Sequence, residues 1–346
     1  MEKIIISHQS QILSITYSND GKYIAYGCDN NTITILNLFT GIQLSSCKRQ
    51  NGKILSVSFS PDGKRIVSGS TDKMICIWCV LTCNLLLLLE GSFNWINCVQ
   101  YSHDGKRIVS SSDDKMIRIW DSFTGKQIIL LSGHTDWVGS VSFSNDDNYI
   151  LSCSRDETVR IWNITTDKIV LKSSVNFDWI CTVSYSPDGN RILFSSGSRY
   201  DYYYKNINIC DAFTGKVIFK ILIYAVKIFY LSYTHDGKYI VSGCDITDEI
   251  IKNKIYIWNA SNGKLVSELK DYSNIICNAI SISPNDYCIT AAYENKLFTH
   301  KSIELLWNKR KNYAIFLNTL KKLYSNYATA KVFQCQQLQR VICSFL

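Results

Sequence analysis

His134, Ser152 and Asp156 are the residue types of a nucleophilic triad, in which a hydroxyl attacks, an imidazole takes its proton and a carboxylate orients the ring. A second candidate is Cys76-Ile77-Trp78-Cys79 with Cys83 close by, because paired thiolates hold soft metals. Whether either set can act depends on the elements that carry it. On a strand, an odd separation turns Cys76 and Cys79 to opposite faces, and no His or further cysteine pair lies at ligand spacing. No metal is expected there. No glycine-rich phosphate loop follows a strand and opens a helix, so no nucleotide or other cofactor is expected.

The elements come from one repeat. The turn Asn19-Asp20-Gly21 returns as Pro61-Asp62-Gly63, His103-Asp104-Gly105, Asn145-Asp146-Asp147, Pro187-Asp188-Gly189, His235-Asp236-Gly237 and Pro284-Asn285-Asp286, in steps of 42, 42, 42, 42, 48 and 49. Seven copies mean seven units. All three prolines occupy one repeat position, where a fixed φ suits a turn. Before each turn apolar residues alternate, as in Leu55, Val57, Phe59 or Phe229, Leu231, Tyr233, the pattern of a half-buried strand. After it come Arg65 to Ser68, a turn at Ser70-Thr71-Asp72, Met74 to Trp78, and a fourth apolar run, Leu85 to Leu89. Four such strands make a small antiparallel sheet that cannot bury both faces alone, so neighbours must stack.

With 46% hydrophobic and 19% charged residues, the 346-residue chain has ample material for a core, which excludes wholesale disorder. Fourteen cysteines are too sparse for a disulfide scaffold, and the opening Met1-Glu2-Lys3-Ile4-Ile5-Ile6 is no secretory signal. The most apolar stretch, Lys216 to Tyr233, carries Lys216, Lys220 and Lys227, so two short strands around a turn fit it better than a membrane span. A soluble protein of a reducing, intracellular compartment, cytoplasmic or nuclear, is expected. The net charge of +8 sits at one end: residues 308–346 hold seven Lys and Arg and no acid, leaving 30 basic against 29 acidic residues elsewhere.

Gly133-His134, Phe143-Ser144-Asn145-Asp146, Ile150 to Asp156 and Val159-Arg160-Ile161-Trp162-Asn163 together resemble a WD repeat. The resemblance covers residues 1–307. It implies an all-β, seven-bladed β-propeller, with Lys3 to Ile6 supplying the outer strand of the last blade. It also implies a buried His, Ser, Asp and Trp network, complete only in His134, Ser152, Asp156 and Trp162. Ser68, Asp72, Trp78 and Ser110, Asp114, Trp120 keep three members, with Gln50 and Ser92 in place of the His, while Leu36 and Cys210 replace the Trp in units one and five. In that family the network is structural, so a non-catalytic protein is expected.

By parity, the loop between a blade's second and third strands lies on the same side as the connection into its first strand. Trp95, Trp137 and Trp179 fall on that side at spacings of 42, where other units have Gln11, Lys53, Lys227 and Ile276. They form either an aromatic wall flanked by Lys53 and Lys227 that captures a partner, or packing between blades. Measured from the turn to the Trp position, units one to four span 15 residues and units five to seven span 21, the last ending at Trp307. Six inserted residues in three consecutive blades predict a raised lip on this face, bearing Tyr200, Tyr202, Tyr203 and Tyr204 in unit five and Asp245, Asp248 and Glu249 in unit six.

After Trp307 the repeat ends. Tyr313, Phe316, Leu317, Leu320 and Tyr324 recur at helical spacing with Lys321 and Lys322 towards the other side, the pattern of a basic amphipathic helix. Such a tail docks on a protein or contacts nucleic acid or an anionic surface. The leading expectation is a protein-interaction scaffold or adaptor using the loop face. The alternatives are an RNA- or ribosome-associated factor using the tail, and a ubiquitin-ligase substrate receptor, to which a propeller with a helical tail is similar. For the last, Trp120-Asp121-Ser122-Phe123 lacks the Arg that adaptor-binding propellers carry two residues after the Asp.

Overall fold

Alternating apolar residues and a hydroxyl-capped turn make each unit an antiparallel meander of four strands. The computed structural model describes residues 3–301 except 39, 49, 175–181, 198–203, 226, 249–250, 270–276 and 287, with the backbone alone at 3–7, 174, 197, 204, 246–248, 251–253 and 301. Strand β1 (Lys3–Ser7) precedes six complete blades. Blade 1 is β2 (Ile12–Tyr17), β3 (Tyr23–Cys28), β4 (Thr32–Asn37) and β5 (Gln43–Lys48). Blade 2 is β6 (Ile54–Phe59), β7 (Arg65–Ser70), β8 (Ile75–Cys79) and β9 (Leu85–Leu89). Blade 3 is β10 (Ile96–Tyr101), β11 (Arg107–Ser112), β12 (Ile117–Asp121) and β13 (Gln127–Leu131). Blade 4 is β14 (Val138–Phe143), β15 (Tyr149–Ser154), β16 (Thr158–Asn163) and β17 (Lys168–Ser174). Blade 5 is β18 (Val183–Tyr185), β19 (Arg191–Gly197), β20 (Tyr204–Asp211) and β21 (Val217–Tyr224). Blade 6 is β22 (Lys227–Tyr233), β23 (Tyr239–Asp248), β24 (Ile251–Asn259) and β25 (Leu265–Leu269). Blade 7 is β26 (Cys277–Ile282), β27 (Cys288–Tyr293) and β28 (Lys296–Lys301), with β1 paired to β28 as its outer strand.

The inner strands pack in sequence, and β26 packs on β2, so the ring closes. The seven-bladed, all-β propeller is therefore the architecture, and no helix occurs among the described residues. The apolar stretch from Lys216 to Tyr233 is the outer strand of blade 5 and the inner strand of blade 6. Among the described residues no helix is long and apolar enough to cross a membrane.

The turn that marks each unit has a physical basis. In blade 2 the Ser60 hydroxyl donates to Asp62 Oδ1 at 2.6 Å and accepts the Arg65 N–H at 2.9 Å, while Asp62 Oδ1 accepts the Lys64 N–H at 3.0 Å. Gly63 takes the left-handed φ of +69° that closes it. The core lies between blades, not within them. Ala25, Ile33 and Ile35 of blade 1 pack with Ile54, Ile66 and Trp78 of blade 2, each fully buried aliphatic contributing about 1.5–3 kcal/mol. The second strand needs a small residue where the next blade's first strand enters. Gly27, Gly69, Ser111, Cys153, Ser195, Gly243 and Ala292 share that register position.

The expected lip is corrected in two ways. In blade 7 the β27–β28 hairpin is tight, with Tyr293 opposite Lys296, and Ile289 faces His300 as Ile66 faces Trp78. His300, not Trp307, holds the tryptophan position, and no insertion precedes it. In blade 6 the six extra residues lengthen the strands: Asp245 pairs with Asn253 and Asp248 with Ile251, making ten- and nine-residue strands where blade 2 has six and five. In blade 5, Gly197 pairs with Lys205 and Tyr204 with Tyr224, again extending a hairpin. Tyr200, Tyr202, Tyr203, Trp179, Glu249 and residues 302–346, the tail included, lie outside the described residues.

Candidate partner-binding face

The triad-like residues of blade 4 are brought together and locked. His134 Nδ1 lies 2.8 Å from Asp156 Oδ2 and Nε2 lies 2.9 Å from Ser152 Oγ. Ser152 Oγ also accepts the Trp162 indole N–H at 2.8 Å, and Arg160 donates to Asp156 Oδ2 at 3.0 Å. The His134 and Asp156 side chains are only 1% and 3% exposed. Burial pulls the imidazole below the ordinary histidine range despite Asp156, so a neutral ring donates from Nδ1 and accepts the serine hydroxyl at Nε2. Burial alone would raise Asp156, but His134, the Thr158 hydroxyl and the Thr135 N–H outweigh it and hold the carboxyl well below its usual range. The hydrogen-bond order matches a nucleophilic triad, yet the hydroxyl has no approach for a substrate. Its work is to satisfy buried polar groups between strands.

Other blades solve the same problem differently. In blade 2 Ser68 donates to Gln50 Oε1 at 2.7 Å and accepts from Trp78 at 2.8 Å, so glutamine replaces the imidazole towards the serine. Asp72 accepts the Asn51 N–H at 2.8 Å. In blade 3 Trp120 donates to Ser110 at 2.9 Å, and the short Ser92 reaches Asp114 at 3.2 Å while Arg118 pairs with the same carboxylate at 2.9 Å. Blade 6 carries a Ser242–Trp258 bond of 2.9 Å that the sequence reading did not single out.

Lys53, Trp95 and Trp137 occupy one structural position on consecutive blades. Each carbonyl accepts the N–H of the residue just past the second strand: Thr71 at 3.0 Å, Asp113 at 3.0 Å and Arg155 at 2.9 Å. Lys227 stands in the same register, opposite Asp245. Both lysines are exposed, and Trp95 and Trp137 are 49% and 38% exposed, whereas Trp78, Trp120, Trp162 and Trp258 are 8% or less. Among the described residues no ring contact joins Trp95 to Trp137. The Arg155 guanidinium lies 4.9 Å from the Trp137 ring centroid instead. Asp113, whose N–H meets the Trp95 carbonyl, accepts from Asn97 Nδ2 at 2.6 Å, and the same amide donates to the Val138 carbonyl next to Trp137 at 2.9 Å. Burial, with Asp136 and Asp114 nearby, raises its pKa, and the Asn97 amide opposes the rise. The face at blades 3 and 4 therefore presents two indoles, a stacked cation and the half-buried Asp136 carboxylate, which accepts the Trp137 N–H at 2.8 Å, while Asp113 is buried.

At the channel's other mouth a cavity of about 870 Å³ is lined by the polar side chains of Thr16, Ser58, Gln100, Ser142, Ser184 and Ser232, without a carboxylate. Nor do the described residues contain a cluster of three or more His, Cys, Asp or Glu able to hold a metal. Two features went unread in the sequence. Asp147 and Asp286 stand where other turns have glycine, and each is preceded one unit earlier by a histidine, His103 or His235; these pair across blades at 2.8 and 2.9 Å. A disulfide joins Cys47 to Cys83, and nine other described cysteines lie outside it.

The family model described as the IFT122 first beta-propeller matches residues 53–303, more than half of the chain. The model described as the anaphase-promoting complex subunit 4 WD40 domain matches residues 5–62. No curated protein matches the chain. Seven stacked four-stranded blades carrying the WD-repeat network, together with the first of these matches, place the chain in the family of the IFT122 first beta-propeller, among the WD40 propellers.

Proposed function

We propose that this propeller is a non-catalytic protein-interaction scaffold that captures a partner on the face bearing Trp95 and Trp137. The exposure of these two indoles carries the reading. A half-exposed tryptophan forfeits burial that its four counterparts in the ring obtain, and a large amphipathic ring with a cation and the Asp136 carboxylate beside it has the composition of an interface anchor. Lys53 and Lys227 stand at the same repeat position on other blades; Trp179 and the unit-five tyrosines, outside the described residues, join this reading by their repeat position in the sequence alone. WD40 propellers commonly serve as interaction platforms, and the burial of Ser152 and His134 argues against hydrolysis. That nine described cysteines lie outside the one described disulfide suits an intracellular setting.

The test is affinity purification of full-length protein and of a Trp95→Ala/Trp137→Ala/Trp179→Ala variant, with mass spectrometry of the associated proteins. Loss of specific partners, with the far-UV circular dichroism of the folded ring retained, is expected. An unchanged partner set from folded variant would sink the reading.

A further inference from the structure

Three cysteines depart from the repeat pattern at one junction between blades. The residue that ends the third strand is Asp121 in blade 3 and Asp211 in blade 5. Asp121 Oδ1 caps the following turn, accepting the Phe123 and Thr124 N–H groups at 3.0 and 2.7 Å and the Thr124 hydroxyl at 2.9 Å. Asp211 does the same. Blade 2 has Cys79 there. Four residues on, Gly41, Gly125, Gly215 and Gly263 close the turn with φ between 68° and 72°, and blade 2 has Cys83 at 54°.

This turn touches the outer strand of the preceding blade. A Cβ on Gly125 would lie 3.5 Å from Leu89 Cδ1, on Gly215 2.7 Å from Leu171 Cδ1, and on Gly263 2.9 Å from Phe219. Between blades 1 and 2 the contact is covalent: Cys83 is bonded to Cys47 on β5, with Cα atoms 5.0 Å apart. The partly exposed Cys79 sits in the same turn, and its carbonyl accepts the Cys83 N–H at 2.9 Å. A turn closed in this way holds its two ends within the Cα range a disulfide spans. The groups that cap a carboxylate elsewhere act here on sulfur: the Thr82 hydroxyl, then the Thr82 and Leu81 N–H groups, hold the Cys79 thiol below the ordinary cysteine range.

We propose that Cys79, Cys83 and Cys47 form a thiol–disulfide exchange site that makes the fastening between blades 1 and 2 reversible. The Cys79 thiolate attacks Cys83 Sγ; the Cys79–Cys83 bond forms as the Cys83–Cys47 bond breaks, and Cys47 leaves as a thiolate that takes a proton from water. One disulfide replaces another, so no oxidant or reductant is consumed. The junction is then held by packing and by the Ser45 hydroxyl, which donates to the Val80 carbonyl at 2.8 Å.

Full-length protein is incubated at neutral pH, acid-quenched, alkylated and digested without reduction; chymotryptic cleavage after Leu81 separates Cys79 from Cys83 for mass spectrometry. The wild type is expected to yield both linkages, Cys47–Cys83 with alkylated Cys79 and Cys79–Cys83 with alkylated Cys47. Cys79→Ser, in which a hydroxyl still caps the turn, is expected to yield the first alone. Cys79→Ala, should the serine variant misfold, is read in the same way. If wild type and folded variant both show only Cys47–Cys83, Cys79 does not exchange and the proposal is overturned. Absence of any Cys83 linkage in the wild type overturns it equally.

Discussion

His103 Nδ1 lies 2.8 Å from Oδ1 of Asp147, which belongs to the turn of the next blade. The same carboxylate accepts the main-chain N–H groups of His103 and Asp104, each at 2.9 Å. His235 and Asp236 repeat the arrangement on Asp286. Elsewhere a proline meets a glycine: a Cβ on Gly105, Gly237 or Gly21 would lie 3.4, 3.6 or 3.8 Å from the ring of Pro61, Pro187 or Pro284. Five of the seven junctions between turns thus meet either as proline against glycine or as histidine against aspartate; at the other two, the Asn19 and Asn145 amides donate to the Pro61 and Pro187 carbonyls of the next blade. Asp147 and Asp286 adopt φ values of 57° and 60°, a conformation costing a non-glycine residue about 1 kcal/mol, which three hydrogen bonds offset.

Asp147→Gly removes those bonds and is expected to destabilise the protein by about 1–3 kcal/mol in urea unfolding. His103→Pro/Asp147→Gly rebuilds the proline and glycine pairing and should recover most of the loss. Simple additivity of the two single changes would count against the two residues acting as a pair.

The buried network of blade 4 predicts an acid-side loss of stability. His134 and Asp156 both have folded-state pKa values below their unfolded ones, so the unfolded chain binds more protons wherever they differ. The histidine contribution is complete above about pH 6.5 and fades as the pH falls; that of Asp156 fades below about pH 4. His134→Gln keeps an acceptor for Ser152, as Gln50 does for Ser68 at 2.7 Å, and should flatten the dependence between about pH 6.5 and 5. Urea titrations across this range check it, and an unchanged slope in the variant would contradict it.

Gly69→Ala is expected to lower stability by about 1–3 kcal/mol, because the new methyl would stand 2.5 Å from Ile96 Cγ2 of the next blade. Gly63→Ala meets nothing within 4 Å but must hold φ at +69°, so its smaller cost of about 1 kcal/mol is conformational. A thermal melt that ranks Gly63→Ala as the worse of the two would refute the steric account.

The count of blades was legible because each turn writes the same capping pattern into the chain: a hydroxyl, then Asp (Asn285 in unit seven), then a left-handed residue. The exposed position of Trp95 and Trp137 was legible as a spacing, but their environment was not. A tryptophan between blades and one facing water have the same neighbours in sequence. Residue type alone points to Trp307 as the end of unit seven, whereas strand register puts His300 opposite Ile289, so the unit carries no insertion.

By itself, then, the sequence determined the repeat, the strand order within each unit and the residues able to form a buried network, since all of these rest on periods of two residues or of about 42. Only the tertiary structure decided what meets across each junction. Cys47 and Cys83 are 36 residues apart, His103 and Asp147 are 44 apart, and His235 and Asp286 are 51 apart. Those partners become neighbours because the ring closes and each blade turns its outer strand towards the next blade's turn, a relation that no local pattern encodes.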